Sequence, residues 1–321
     1  MRSTSGMVAA VVTLMAVASG GCGNNPAAVL VAADSVAATI PVPGDAYGID
    51  VASNGTVYAT LLGNSALVRL SLSTLSVVRT IPVGSGPTGV AFSPTGATAY
   101  VTNQLSSTLG IVNVATDSEM AETAVHGNPF VTLPSPDGAK VFVTGNDDSI
   151  FVINAATRSV AASLYVGAAP NALAFNAAGT RLYVSNFFGG TVVEVDPSVP
   201  VVRRIFVTGG MPQGLALSGD GTELYIANEL GWLEVRSIAT GARLDSIPLA
   251  GPAFGLARSP DDAVLYAGLY TIGRVAVVNR ATRKVIKTLA TGGEPRRMAF
   301  TADGRHAVIA NAAGWVDVVT R

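Results

Sequence analysis

The sequence predicts an all-β chain, a seven-bladed β-propeller of four-stranded antiparallel blades whose ring is closed by an N-terminal strand completing the last blade. Three observations predict it. A short element recurs from Ala46, Pro87, Pro129, Pro170, Pro212, Ala253 and Pro295, and this near-constant spacing is that of a propeller-blade repeat. Each repeat holds four apolar runs of strand length, the composition of one propeller blade. The last repeat, Pro295 to Arg321, stops one strand short of a full unit, and the segment from Val31 to Asp45 lies ahead of the first repeat to supply the rest.

The elements follow in order within each repeat. The recurring inner element reads "AYGIDV", "PTGVAF", "PFVTLP", "PNALAF", "PQGLAL", "AFGLAR" and "PRRMAF". A turn comes next, such as "SPTG" (Ser93 to Gly96), "SPDG" (Ser135 to Gly138) or "TADG" (Thr301 to Gly304). These residues pre-set turn dihedrals and end strands. The second strand follows as "VYAT" at Val57, "AYVTN" at Ala99, "VFVTG" at Val141, "LYVSN" at Leu182, "LYIAN" at Leu224, "LYAG" at Leu265 and "AVIAN" at Ala307. A third and a fourth strand finish the unit, as in "SIFVINAATRSVAASLYVG" from Ser149 to Gly167. The N-terminal "SVAATIPV" (Ser35 to Val42) matches the outer strand "SVVRTIPV" (Ser76 to Val83) at six of eight positions, which assigns it as the outer strand of blade 7. A closed ring is expected to have no free sheet edge, which removes an aggregation hazard. Blades packed on both faces lose polar alternation, which accounts for 49% hydrophobic residues and a mean hydropathy of +0.45.

The N-terminus carries its own signals. "MVAAVVTLMAVA", Met7 to Ala18, is an apolar run behind Arg2, too short to span a bilayer and of the length of a signal-peptide core. Cys22, the single cysteine, follows in "SGGCGNN". Small residues before a lone Cys resemble a bacterial lipobox, which implies lipidation of Cys22 and a membrane anchor. Ser19 stands where lipoboxes carry Leu, so ordinary cleavage near "AVASGG" stays open. The expected organisation is a signal peptide over 1–21, a linker over 22–34 and the propeller over 35–321. The expected location is the bacterial periplasm or cell surface, on the outer membrane if Cys22 is acylated.

"YVTN" (Tyr100 to Asn103), "YVSN" (Tyr183 to Asn186) and "YIAN" (Tyr225 to Asn228), with the preceding "PxG" elements, resemble the YVTN-repeat propellers. That resemblance implies a seven-bladed fold in a bacterial surface or periplasmic protein. Similar repeats form propeller parts of quinohaemoprotein and denitrification enzymes, in which extra sequence carries the cofactor. The repeat residues themselves read as scaffold: Asn103, Asn186, Asn228 and Asn311 as turn residues bonding their own backbone, and the motif tyrosines as interblade packing.

Function is sought where repeats differ on one face. The second residue of each inner element gives a channel-face ring of candidate ligand-binding residues: Tyr47, Thr88, Phe130, Asn171, Gln213, Phe254 and Arg296. The ring is aromatic and amide-rich with one cation and no carboxylate, suited to an envelope protein, a peptide, a glycan or a small ligand. The alternative is that it plugs the channel. Behind it the second-strand exits place Gln104, Asn146, Asp147, Asp148, Phe187, Phe188, Glu229 and Tyr270, with the acidic ones on peripheral loops.

Catalytic chemistry finds few handles. A calcium-dependent lactonase needs carboxylates or amides converging on a hard cation, and a virginiamycin B lyase acid/base pair is not recognisable. His126 and His306, the two histidines, fall toward opposite faces. No haem, zinc or phosphate-loop motif is present, so neither a cofactor nor a metal site is expected. A net charge of −1 and the lack of a basic run disfavour nucleic acid, and Arg203, Arg204, Arg296 and Arg297 read as solvated. The expectation is a monomeric binding or scaffold protein without catalysis, with a periplasmic lyase or lactonase at the same mouth as the alternative.

Overall fold

The computed structural model describes residues 34–321. The signal-peptide segment and Cys22 lie outside them. Blade 1 comprises β2 (Ala46–Val51), β3 (Val57–Leu61), β4 (Ala66–Ser71) and β5 (Ser76–Pro82), and blade 2 comprises β6 (Pro87–Phe92), β7 (Thr98–Asn103), β8 (Thr108–Asn113) and β9 (Ser118–Ala124). Blade 3 follows as β10 (Thr132–Pro134), β11 (Lys140–Thr144), β12 (Ser149–Asn154) and β13 (Ser159–Tyr165). Blade 4 is β14 (Pro170–Phe175), β15 (Leu182–Asn186), β16 (Thr191–Asp196) and β17 (Val201–Val207). Blade 5 is β18 (Pro212–Leu217), β19 (Glu223–Asn228), β20 (Trp232–Ser237) and β21 (Arg243–Pro248). Blade 6 is β22 (Ala253–Arg258), β23 (Val264–Leu269), β24 (Arg274–Asn279) and β25 (Lys284–Ala290). Blade 7 joins β26 (Pro295–Phe300), β27 (His306–Asn311) and β28 (Trp315–Thr320) to β1 (Ser35–Pro41) from the other end of the described chain.

Each blade is an antiparallel meander with its first strand innermost. The closing strand pairs β1 with β28 from Ser35↔Thr320 to Pro41↔Trp315. Beyond it, Arg321 bridges Asp34 and Asp261 of blade 6, fixing both ends of the described chain on one face. Closure completes the circle of blades, yet every outer strand keeps one free edge. Those strands alternate exposed and sheltered residues, as in β9 and β17, and short, charged edges of this kind resist edge-to-edge pairing.

The core is a set of interblade layers. Seven hydrophobic clusters fill the gaps between consecutive blades, including the gap between blades 7 and 1. The motif tyrosines anchor them: Tyr58 packs on Phe92 and Val101 of blade 2, Tyr183 on Leu215 and Ile226 of blade 5, and Tyr266 on Met298 and Ile309 of blade 7. Burying each such ring contributes about 1.5–3 kcal/mol. The Tyr58 hydroxyl also donates to Asp117 of blade 2, which Arg69 holds in an ion pair.

Two local devices went unread in the sequence. Each motif Asn is fully buried. Asn186, Asn228 and Asn311 bond the connection arriving from the preceding blade, more than a turn residue bonding its own backbone, whereas Asn103 bonds Thr108 and Glu122 of its own blade. Asn228 Oδ1 accepts from the amides of Leu230 and Met211, while Nδ2 donates to the Gly209 carbonyl. Asn311 repeats this with Ala313, Glu294 and Gly292. Where Leu61 and Leu269 replace the Asn, a 3-10 turn (Leu62–Asn64, Tyr270–Ile272) follows instead. In blade 3 the inner strand starts at Thr132 rather than at Pro129, where the repeat spacing predicts it. Phe130 N still donates to Thr144 O and Thr144 N to Val131 O, so the segment stays attached as an irregular extension.

Candidate functional site

Inner strands surround the central channel, and their first residues sit at the end where the interblade connections and second-strand turns open. The strands approach so closely at the third position that blades 1, 2, 5 and 6 carry glycine there. A Cβ on Gly255 would lie 2.1 Å from the Arg296 carbonyl oxygen, and one on Gly48 would lie 2.5 Å from that of Thr88. Gly48, Gly89, Ala172, Gly214 and Gly255 thus make a layer of small residues, joined by Val131, and Arg297 is its one long member.

The layer above is the predicted ring. Tyr47 of blade 1 meets Phe130 of blade 3 and Phe254 of blade 6 edge-on, each at 5.8 Å between ring centroids. Phe254 meets Tyr270 at 5.9 Å. Rings from blades 1, 3 and 6 that touch one another must lie across the axis, so they form a plug, which was the alternative to an open recognition ring. Two guanidinium groups belong to it. Arg296 lies 4.7 Å from the Tyr270 centroid, 5.1 Å from Phe254 and 5.5 Å from Tyr47. Arg297 lies 5.4 Å from Phe130 and 5.6 Å from Phe254. Aromatic faces offset part of the cost of desolvating a cation.

The remaining ring positions divide. Thr88 is 1% exposed and its hydroxyl donates to the Phe130 carbonyl at 2.8 Å, a structural tie. Gln213 is buried, and its Nε2 donates to Glu229 Oε1 at 2.6 Å. Asn171 faces Arg297, whose Nη2 points at its carbonyl and Oδ1, each at 3.4 Å.

The structure corrects two expectations. Glu229, assigned to a peripheral loop, is drawn onto the ring by Gln213, so the ring does have a carboxylate beside it. Burial lifts the Glu229 pKa, while hydrogen bonds from Gln213 and Tyr270 and the charge of Arg296 pull it down. Arg297, read as solvated, enters the channel with Nε buried and unpartnered, and burial lowers its pKa. Arg204 is likewise engaged, bound to Glu194 at 2.7 Å and stacked on Phe206. Arg203 does stay exposed, paired with Asp196.

The other exits stand apart from this cluster. Asn146 and Asp147 are exposed on the blade 3 turn, and Asp148 Oδ1 accepts from the Ala169 amide. Phe187 and Phe188 stack on each other, with Phe188 74% exposed. His126 is exposed on the connection into blade 3, and His306 starts β27 toward the opposite face. Among the described residues, no three or more His, Cys, Asp or Glu side chains group where they would hold a metal ion.

Beneath the plug the channel continues as a cavity of about 200 Å³, with Arg297 at its upper end and Asp50 further along the inner strands. Asp50 accepts from the amides of Val51 and Phe92, at 2.8 and 2.9 Å. Burial raises its pKa to about 6 against those two hydrogen bonds. Sequence reasoning missed Asp50, Arg297 and the small-residue layer, although position-by-position alignment of the seven inner elements would have shown Arg297 as the one long side chain at its position.

No family model and no curated protein matches this chain. Among solved structures, Kuenenia stuttgartiensis hydrazine synthase superposes with a TM-score of 0.80 over 87% of this chain and 96% of that chain, at 19% identity. This likeness is one of fold, and it agrees with the seven antiparallel blades described above.

Proposed function

We propose that this chain is an exported, lipid-anchored propeller of the YVTN-repeat type that holds a partner or ligand on its channel face without catalysis. The observation that carries this reading is Arg296 within the closed ring, paired with Glu294 and stacked among Tyr47, Phe254 and Tyr270 where the channel end opens. A cation backed by aromatic faces is a common anchor for recognition, since Arg and aromatic residues dominate binding hot spots. Export and anchoring rest on the N-terminal apolar run and Cys22.

Affinity capture from an envelope extract tests it, comparing wild type with Arg296→Ala and Phe254→Ala and identifying retained proteins and small molecules by mass spectrometry. A species held by wild type and lost by both variants supports the reading. Identical eluates from all three overturn it.

A second reading, a propeller enzyme of lyase or lactonase type at the same mouth, is favoured by Glu229, a carboxyl lifted by burial beside the Arg296 guanidinium. Acid/base residues have their pKa shifted by such surroundings. Under this reading Glu229→Gln abolishes turnover of a substrate while leaving its capture intact.

A further inference from the structure

The channel cavity holds two ions that do not meet. Among the described residues Arg297 makes no ion pair with any carboxylate, and its nearest polar partners are the long contacts to Asn171. Among the same residues Asp50 has no cation within ion-pair distance, only two backbone amides. Both line the same cavity, whose walls are otherwise small or apolar, among them Gly89, Ala172, Gly214 and Gly255. Isolated charges out of water are unfavourable unless something pairs them. Neither pairs with the other, and a single group touching both would balance them.

We infer that the channel beneath the plug binds a small zwitterion of amino-acid type, its carboxylate on the Arg297 guanidinium and its ammonium on the Asp50 carboxylate. A guanidinium presents paired N–H donors matched to a carboxylate. Asp50 spends one lone pair on each oxygen for a backbone amide and keeps others for an ammonium donor. A cavity of about 200 Å³ is equivalent to roughly six or seven waters at about 30 Å³ each, the size of an amino acid with a short carbon chain. The small-residue layer that lets the inner strands meet also leaves this space. The site lies below the aromatic layer and borders it through Arg297, which stacks on Phe130 and Phe254.

Calorimetric titration of the full chain with glycine, β-alanine, γ-aminobutyrate and L-alanine tests the assignment, with acetate and methylammonium as single-charge controls. One member of the ω-amino acid series, whose charge spacing matches the cavity, binds at least about tenfold more tightly than either control, a difference of roughly 1.4 kcal/mol. Arg297→Gln and Asp50→Asn each remove that advantage, while Arg297→Lys, which keeps the charge, retains part of it. Circular dichroism melts of every variant confirm folding. Absence of binding by all four amino acids overturns the inference, and so does acetate binding as tightly as the best of them. The titration needs no partner, so its outcome is read independently of the capture experiment.

Discussion

Blades 1 to 4 and blades 5 to 7 hold their inner strands by different means. In the first group the third residue of the second-strand motif is a hydroxyl. Thr60, Thr102, Thr144 and Ser185 accept from the amides of Gly48, Gly89, Val131 and Ala172 at 2.7 to 3.0 Å. Thr102 and Ser185 also donate onward to the Phe130 and Gln213 carbonyls of the next blade. In the second group Ala227, Gly268 and Ala310 stand at that position, so the close contact that both groups share is left without the hydroxyl tie. A Cβ on Gly214 would come within 2.8 Å of Leu256 and the Phe254 carbonyl, and one on Gly268 within 3.1 Å of Met298 and the Pro295 carbonyl. Arg296, Arg297, Phe254, Tyr270 and Glu229 all belong to the second group. Blades 1 to 4 add hydroxyl ties to the frame, and blades 5 to 7 supply most of the channel-face chemistry.

The most severe way to break this comparison is Gly255→Ala. The new methyl meets a neighbouring backbone carbonyl, which no rotamer change relieves, and the expected loss is roughly 2–4 kcal/mol in urea unfolding. The same variant displaces Arg296 and weakens capture on the outer face. A loss below that of Gly89→Ala, where the methyl meets the Thr102 hydroxyl at 2.8 Å and the Phe130 carbonyl at 2.9 Å, would show that blades 5 to 7 are the more tolerant ones.

A smaller effect is expected for Thr102→Val, which keeps the shape but leaves the Gly89 amide without its side-chain acceptor. Leaving a buried donor unsatisfied costs about 1–3 kcal/mol. Chemical denaturation checks it, and an unchanged midpoint would mean that the hydroxyl series is incidental to the frame.

The mildest prediction concerns pH, which acts alike on both halves. Asp50 in the first group and Asp317 in the second are each raised by burial to about 6, against about 3.9 in an unfolded chain. The folded state therefore binds protons more tightly. Its contribution is fully present below about pH 4 and is lost as pH rises through about 6. Melting temperature should fall from pH 5 to pH 8, the reverse of a protein held by carboxylate ion pairs. A rise over that range would show that both carboxyls ionise without penalty.

Much of the frame was legible because it repeats. The blade count, the meander of four strands, the closing strand and the interblade tyrosines follow from the near-constant interval between Ala46, Pro87 and their five successors. The buried role of the Asn was less legible: Asn228 looks like a turn residue until the chain from the preceding blade is placed beside it.

By itself the sequence determined seven blades, the partner of the N-terminal strand and the identity of the ring positions, since neighbours along the ring are set by chain order. Tertiary structure alone decided what crosses the axis. Tyr47, Phe130 and Phe254 come from blades that are far apart in sequence, and their contact depends on side-chain reach over a channel whose width the glycine layer sets. The same geometry drew Arg297 inward and Glu229 onto Gln213. Periodicity carries no information about distances across a ring, and those distances made the plug and the cavity beneath it.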